Sequence, residues 1–162
     1  MTKKLESAGK QLFDLWQKLQ KKPAGNWLFN RIIAWKIPYS GSIKAQVVEL
    51  SPGRCKTLLK FRKANTNHLN SVHALALSNL GELTSGLAML CGLPSSIRGI
   101  VTQINTEYVK KARGHLTAIA TVTLPEVTEA KTEYWIQADI YDQQQDLVTT
   151  VKVRWLLSPI EK

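Results

Sequence analysis

Cysteine is scarce in this sequence, since Cys55 and Cys91 are the only two among 162 residues. They stand far apart and match no metal-ligand or redox spacing, so we expect free thiols in a reducing compartment and neither a disulfide framework nor a metal site. Long apolar runs are also missing. No stretch reaches the roughly 18 consecutive apolar residues that span a bilayer, and no apolar segment with a cleavage site opens the chain. These features predict a soluble cytoplasmic protein.

Acidic residues are few relative to basic ones. The 22 Lys/Arg and 12 Asp/Glu give a formal net charge of +10, of which residues 1–40, with eight bases and two acids, carry +6. A basic balance attracts nucleic acid, acidic lipid or a phosphate-bearing molecule without choosing among them. Internal repeats and low-complexity segments are absent, and a length of 162 residues with 44% apolar content fits one domain with a real core.

Residues 1–40 are predicted to form a helical extension of a main domain at 41–162. Apolar residues surrounded by lysines recur there at helical spacing, which indicates an amphipathic helix of about four turns. Residues 24–36 resemble a second helix after Pro23, and Pro38 with Gly41 closes the segment. The apolar set of the first helix is Leu5, Ala8, Leu12, Leu15, Trp16 and Leu19.

The main domain has the pattern of a hairpin, a buried helix and four more strands. Residues 43–47 alternate in polarity, and a second run covers 56–63 after the turn at Ser51-Pro52-Gly53-Arg54. Residues 72–90 are apolar on nearly every side, as in a buried helix. One helix can bury all its sides only inside a curved sheet completed by a second subunit or arm, so this order predicts an α+β hotdog fold. The four later strand-like runs lie near 97–109, 115–124, 133–141 and 147–157.

Glu82 is the residue that the fold alone does not explain, because it falls midway along this apolar helix. Desolvation raises the pKa of a carboxyl and makes it a candidate base or nucleophile, although a strip of helix facing water or a partner would also accept a Glu. His73 stands nine residues earlier, which places it on the opposite side of the helix and ~13 Å away along the axis. If both serve one site, that site crosses a two-fold interface.

The start of the helix is a candidate oxyanion site. Residues 71–75 should present unpaired backbone N–H groups and the positive end of the helix dipole, which suit a carbonyl oxygen that becomes negatively charged. Asn67 in the preceding loop could orient water or a substrate carbonyl, or could simply form an Asx turn. His73 could likewise cap the helix instead of transferring a proton.

These residues resemble the signature of hotdog acyl-CoA thioesterases of the phenylacetate-pathway and hydroxybenzoyl-CoA types. In that family an Asn or Gln stands six residues before a His, and an Asp or Glu stands nine residues after it; Asn67, His73 and Glu82 keep both intervals. The strand order is similar over residues 42–157. The family's His-Gly-Gly is replaced here by His73-Ala74-Leu75, and its earlier glycine by Asn70.

The resemblance implies roles for individual residues. Glu82 would be the nucleophile or general base, the Ala74 N–H the oxyanion donor and Asn67 the positioner of water or carbonyl, while His73 shapes the helix start. The basic turn between two strands is similar to one that meets coenzyme A phosphates, and we expect substrate contacts from Lys110, Lys111, Arg113, Leu75 and Gly86. The implied substrate is an acyl-CoA or related thioester, with no cofactor and no metal, in a homodimer or homotetramer.

Two other functions are open from the sequence. A protein that kept the pocket but lost productive geometry would bind an acyl group or acyl-CoA without cleaving it. The basic, Trp-containing extension could also dock on an acidic membrane surface, whereas nucleic acid is not the expected partner. Equally, its apolar residues could pack on the main domain and leave the lysines as a solvated face.

Overall fold

The computed structural model describes residues 8–127 and 131–160. It begins with three helices, α1 at Ala8–Leu19, α2 at Gly25–Lys36 and α3 at Pro38–Ser42. Leu5 of the predicted first helix lies outside the described residues. Pro38 begins the short helix α3 and does not simply close the segment, because proline suits the first position of a helix. Trp16 of α1 packs edge-to-face on Phe29 of α2, with ring centroids 4.9 Å apart.

The sheet of the described chain has six antiparallel strands around one long helix. Its spatial order is β1-β2-β4-β5-β6-β3. The sequence prediction of a hotdog fold is therefore confirmed. The strands are β1 Gln46–Ser51, β2 Arg54–Leu59, β3 Ile97–Tyr108, β4 Leu116–Thr121, β5 Thr132–Tyr141 and β6 Leu147–Pro159, and the helix α4 spans Ala74–Leu90.

Several predicted strand bounds were wrong by a few residues, most clearly in the first hairpin. The first strand begins at Gln46 and not at residue 43, because Lys44 has a φ of 55° and this left-handed residue separates α3 from the strand. The second ends at Leu59 and not at residue 63, because a turn of 3-10 helix starts at Lys63. The Asn65 side chain holds this turn against the carbonyl oxygen of Ile43 at 2.8 Å.

Helix α4 lies against the sheet through small residues. A Cβ added to Gly81 would overlap the Val151 side chain of β6, and one added to Gly86 would lie 2.8 Å from the Trp155 ring. Between these two glycines, the hydroxyl group of Thr84 is buried and hydrogen-bonded to that of Thr57 in β2 at 2.7 Å. These contacts fix how the helix is rotated about its axis, and so decide which side chains face away from the sheet.

Replacing Gly81 with alanine should destabilise the fold. The added methyl group must displace Val151 in a packed interior, so we expect Gly81→Ala to lower the free energy of unfolding by about 1–3 kcal/mol in urea denaturation. Gly86→Ala should lower the free energy of unfolding less than Gly81→Ala does, because its methyl group meets only the edge of the Trp155 ring, which can shift. A Gly81→Ala protein as stable as the wild type would contradict this packing.

The two edges of the sheet differ. On β1 the side chains of Asn26 and Asn30 bind the backbone of Val47, with Asn30 Oδ1 accepting from the Val47 N–H at 2.6 Å and Asn26 Nδ2 donating to its carbonyl at 3.0 Å. On the other edge, β3 pairs only with β6 and exposes Ile100 and Ile104. One edge is thus covered by α2, and the opposite edge is open over twelve residues.

None of the helices in the described ranges is long and apolar enough to cross a membrane.

Candidate functional site

The start of α4 is built by His73. Its Nδ1 accepts a hydrogen bond from the Leu75 N–H at 3.1 Å, and its own N–H donates to the Asn65 carbonyl at 2.8 Å. The side chain thus acts as the N-cap of the helix, a position where an acceptor satisfies an otherwise unpaired N–H. Within the described residues the Ala74 N–H has no hydrogen-bond partner. A free donor therefore remains at the positive end of the helix dipole.

Asn67 organises the loop before the helix. Its Oδ1 accepts from the Leu69 N–H at 3.0 Å, and from the N–H and Oγ–H of Ser71 at 3.2 and 3.1 Å. The chain can then turn through Asn70, which has a φ of 53°. These three hydrogen bonds occupy the Oδ1 acceptor of Asn67, whereas its Nδ2 group has no partner in the described part of the chain. The amide can still donate to a substrate oxygen or a water.

A surface cleft of about 340 Å³ joins several of the predicted site residues. Asn67, Ala74, Lys110 and Lys111 all line it, although the basic turn is more than thirty residues away in the sequence. Its remaining lining is mostly apolar and includes Tyr108, which sequence reasoning missed. The rest of the lining consists of Leu69, Ser71, Val72, Leu77 and Ala112. An apolar cleft with a few donors at one end suits an acyl or aryl thioester.

Hydroxyl groups connect the helix to strand β3 beside this cleft. The Tyr108 hydroxyl donates to the Ala74 carbonyl at 3.1 Å, and Ser78 Oγ lies 3.2 Å from that hydroxyl and 2.8 Å from Thr106 Oγ1. These contacts hold the first turn of α4 against the open edge of the sheet. The sequence signal for them was weak, because the two partners are separated by some thirty residues and each residue type is common in strands and helices.

Glu82 lies one turn beyond Ser78 on the same face of α4, since residues four apart are neighbours on a helix surface. Its side chain is half-buried, and burial raises the pKa of its carboxyl above the ordinary value. No hydrogen bond or ion pair within the described ranges engages this carboxylate. It is a desolvated acid one helical turn beyond Ser78, which itself contacts β3.

Distance separates Glu82 from the rest of the site in one chain. Helix α4 is unbroken from Ala74 to Leu90, so Glu82 lies ~12 Å along the axis from Ala74 and on the side opposite His73. Glu82 does not line the cleft at the helix start. His73 and Leu75 line a different groove, on the other side of that start. A single chain thus brings Asn67 and Ala74 together but leaves the carboxylate two turns away.

The basic turn has one bound and two free members. Lys110 Nζ lies 2.7 Å from both Asp142 Oδ2 and Asp146 Oδ2, and these bonds, that to Asp142 above all, raise the pKa of the ammonium group. Lys110 is therefore engaged by the turn between β5 and β6. Lys111 and Arg113 are exposed and make no ion pair in the described chain. They are the cations available to a phosphate.

Gly86 lies away from the cleft. It is buried where α4 meets the Trp155 ring, so in this chain its small size serves helix-to-sheet packing. Leu75 is 64% exposed and projects from the first turn of the helix. Across residues 8–127 and 131–160, no group of three or more His, Cys, Asp or Glu side chains could hold a metal ion.

The curved sheet, the single enclosed helix and the polar helix start define a hotdog-fold protein. The chain belongs to the family described as a domain of unknown function, DUF4442, whose model matches residues 25–157. The sequence matches no curated protein.

Solved structures are similar over most of the chain. The structural-genomics protein APC5556 is 28% identical with a TM-score of 0.77, and the match covers 94% of this chain and 99% of that one. PA5026 from Pseudomonas aeruginosa, described as a probable thioesterase, is 21% identical with a TM-score of 0.73, over 81% and 93% of the two chains.

A third similar structure is thioesterase SAV0944 from Staphylococcus aureus, which is 14% identical with a TM-score of 0.65, over 75% and 99% of the two chains. It has been solved as two alanine variants, one at a Gln and one at a Glu fifteen positions later. At 21% identity and below, these likenesses establish a shared fold.

Proposed function

We propose that the protein hydrolyses acyl thioesters at a site shared by two subunits of a homodimer. The observation that carries the proposal is the state of Glu82, a desolvated carboxylate without a partner, on a helix whose first N–H is free. Burial raises the pKa of this carboxyl above its ordinary value, and a carboxylate with a raised pKa is a stronger base toward water. Neither feature is needed by the fold, and each matches a requirement of ester-type hydrolysis.

The open edge of the sheet supports a dimer as the working unit. A long strand with exposed isoleucines and unpaired backbone groups is a surface that pairs with another chain. A two-fold axis through this edge would bring α4 of one subunit beside α4 of its partner, with β3 running next to the partner's β3. Glu82 of one chain could then approach the Ala74 N–H of the other. The two groups of one site would come from different chains, so their ~12 Å separation along the helix of one chain would not keep them apart.

The reaction assigns one task to each group. The Glu82 carboxylate removes a proton from water, and the resulting hydroxide attacks the thioester carbon. The carbonyl oxygen becomes an oxyanion that accepts a hydrogen bond from the Ala74 N–H, while Asn67 Nδ2 donates to the water or the carbonyl. When the tetrahedral species collapses, the C–S bond breaks, the thiolate takes the proton from Glu82, and a carboxylic acid and a thiol leave.

Three further observations support the proposal. PA5026 is described as a probable thioesterase and SAV0944 as a thioesterase enzyme. In SAV0944 the altered Gln and Glu are separated by the interval that separates Asn67 from Glu82 in this chain. Lys111 lines the cleft as a free cation and Arg113 follows it two residues later, which favours coenzyme A, with its phosphates, as the carrier.

The proposal is tested on a panel of acyl-CoA thioesters. We expect the purified protein to release free thiol from at least one aliphatic or aryl member, as measured with a thiol-reactive dye. Removing the phosphates by replacing coenzyme A with a short pantetheine carrier should raise KM much more than it changes kcat, because the reacting atoms remain the same. Calorimetric binding of acyl-CoA without turnover would identify a binding protein and overturn hydrolysis.

A further inference from the structure

The outer face of α2 and α3 is aromatic and exposed. Trp27, Trp35 and Tyr39 have exposed fractions of 60%, 80% and 74%, and Leu28 beside them is exposed at 42%. Residues 27, 31 and 35 are spaced by four, so their side chains form one row along α2, and Tyr39 lies in α3 beyond the non-helical residue Ile37. Single exposed apolar residues are ordinary, but a group of this size marks a contact surface. We define Trp27, Leu28, Arg31, Trp35 and Tyr39 as the aromatic face.

The fold turns the aromatic face away from the domain. Asn26 and Asn30 bind the backbone of β1 from the other side of α2, and Phe29 and Ile33 enter the core beside them. At ~100° per residue, Trp35 stands roughly opposite Asn26 around the helix. The aromatic side chains therefore project outward because the inner side of the helix is fixed, and no folding role accounts for them.

Charge in the segment of sequence that carries the aromatic face has one sign. Residues 15–48 contain six Lys/Arg and no Asp or Glu. Lys21 and Lys22 precede α2, Lys36 ends it, and the Arg31 guanidinium stands 5.2 Å from the Trp27 ring centroid. Such a surface is complementary to a negatively charged surface into which tryptophan and tyrosine rings can also insert.

We infer that the aromatic face docks on the surface of an anionic lipid bilayer. Tryptophan and tyrosine prefer the boundary between headgroups and acyl chains, and helices that lie in that boundary carry basic residues beside apolar ones. Each Lys or Arg near an anionic surface adds attraction that weakens with salt. Trp27 and Trp35 stand on the outer side of one helix, whereas single-stranded nucleic acid binds in grooves where its bases stack on aromatic rings. A second copy of this face would bring like charges together.

The location of the face is compatible with the proposed dimer. The aromatic face lies beside β1, at the edge of the sheet opposite β3. Pairing through β3 would leave Trp27 and Trp35 of each subunit exposed. Tyr39 lines the groove of His73 and Leu75, and not the cleft of Asn67 and Ala74 in which hydrolysis is proposed. Bilayer binding is therefore separate from thioester hydrolysis, and either can fail without the other.

The test is flotation of the full chain with lipid vesicles. We expect binding to phosphatidylcholine vesicles that contain about 30% phosphatidylserine, with a blue shift of tryptophan fluorescence, and at least about tenfold weaker binding to phosphatidylcholine alone. Trp27→Ala/Trp35→Ala should reduce binding to anionic vesicles by about tenfold or more, and Arg31→Gln/Lys36→Gln by a similar factor that shrinks in high salt.

Trp135→Ala is the matched control, because Trp135 is also exposed and also lies under an arginine, with Arg154 at 5.7 Å from its ring centroid. Its binding should equal that of the wild type, and circular dichroism should show all variants folded. Wild-type protein that stays with the aqueous phase would overturn the inference. So would binding unchanged by the paired Trp variant, or a single-stranded oligonucleotide that binds more tightly than the vesicles and displaces them.

Discussion

Glu82→Gln should lower the rate of thioester hydrolysis by at least ~100-fold, because the amide cannot take a proton from water. The substitution keeps the size and hydrogen-bonding capacity of the side chain, so KM should change little. Glu126→Gln is the control, since Glu126 is an exposed carboxylate away from α4. Equal rates for wild type and Glu82→Gln in a thiol-release assay would remove this residue from the mechanism.

The same variant should be more stable than the wild type at neutral pH. The pKa of the Glu82 carboxyl is raised in the folded chain, so the folded state holds this proton more tightly than the unfolded state. That stabilisation is complete at low pH and is lost as the pH rises through the folded-state pKa. Above that pKa the buried negative charge destabilises the wild type, whereas the neutral Gln side chain carries no such penalty. Urea denaturation at several pH values should show the difference in free energy of unfolding between variant and wild type increasing with pH.

Hydrolysis by the wild type should follow the opposite trend. The base works only when ionised, so kcat/KM should rise with pH through the pKa of Glu82, with a midpoint above the ordinary value of 4.5. Activity and stability thus depend on the ionisation of one group in opposite directions. A pH profile for wild type with its midpoint at or below the ordinary value would contradict the desolvation of this carboxyl.

Ala74→Pro should lower kcat by about 100-fold to 1000-fold while leaving the fold intact, because it removes only the proposed oxyanion donor. Proline lacks an N–H and is well tolerated at the first position of a helix. His73 already has an extended conformation, with φ −63° and ψ 139°, as the residue before a proline requires. Ala74→Ser, which keeps the N–H, should retain activity, and equal kcat in both variants would disprove the assignment.

Mixing the two inactive variants tests whether the site crosses two chains. In a dimer with one Ala74→Pro chain and one Glu82→Gln chain, one site combines an intact Glu82 with an intact Ala74 N–H. Random exchange makes half of the dimers mixed, so about a quarter of wild-type activity should return after refolding the variants together. A site contained within one chain would recover nothing, which separates the two arrangements without a structure of the dimer.

Much of this architecture followed from local pattern. The change from a two-residue to a helical period located the hairpin and α4, and an apolar helix in isolation implied the sheet around it. Asn67 and Ala74 reached one cleft because both positions are set by the loop that starts the helix. These features depend on residues that are close in sequence, so a single sequence is enough to predict them.

Long-range contacts were beyond the sequence. Lys110 was expected to face substrate, and its pairing with Asp142 and Asp146 depends on where two turns of the sheet meet. The Tyr108 and Ser78 hydroxyl groups were missed for the same reason, since only the folded edge of β3 brings them to the first turn of α4. The roles proposed for Glu82 and Ala74 remain predictions until the variants are measured.

The asymmetry of the two sheet edges limits how the protein can assemble. Asn26 and Asn30 bind the backbone of Val47 at one edge, while at the other edge the outer side of β3 has no partner strand in the described part of the chain. If two copies join through β3, the β3 edge of each copy is paired, and a third copy has no open β3 edge to which it can add a strand. Continuous growth of the sheet into a fibril, the usual hazard of an unpaired strand, would thus stop after a single step. The two asparagine amides at Val47 and a dimer contact at β3 would together oppose growth of the sheet beyond two copies.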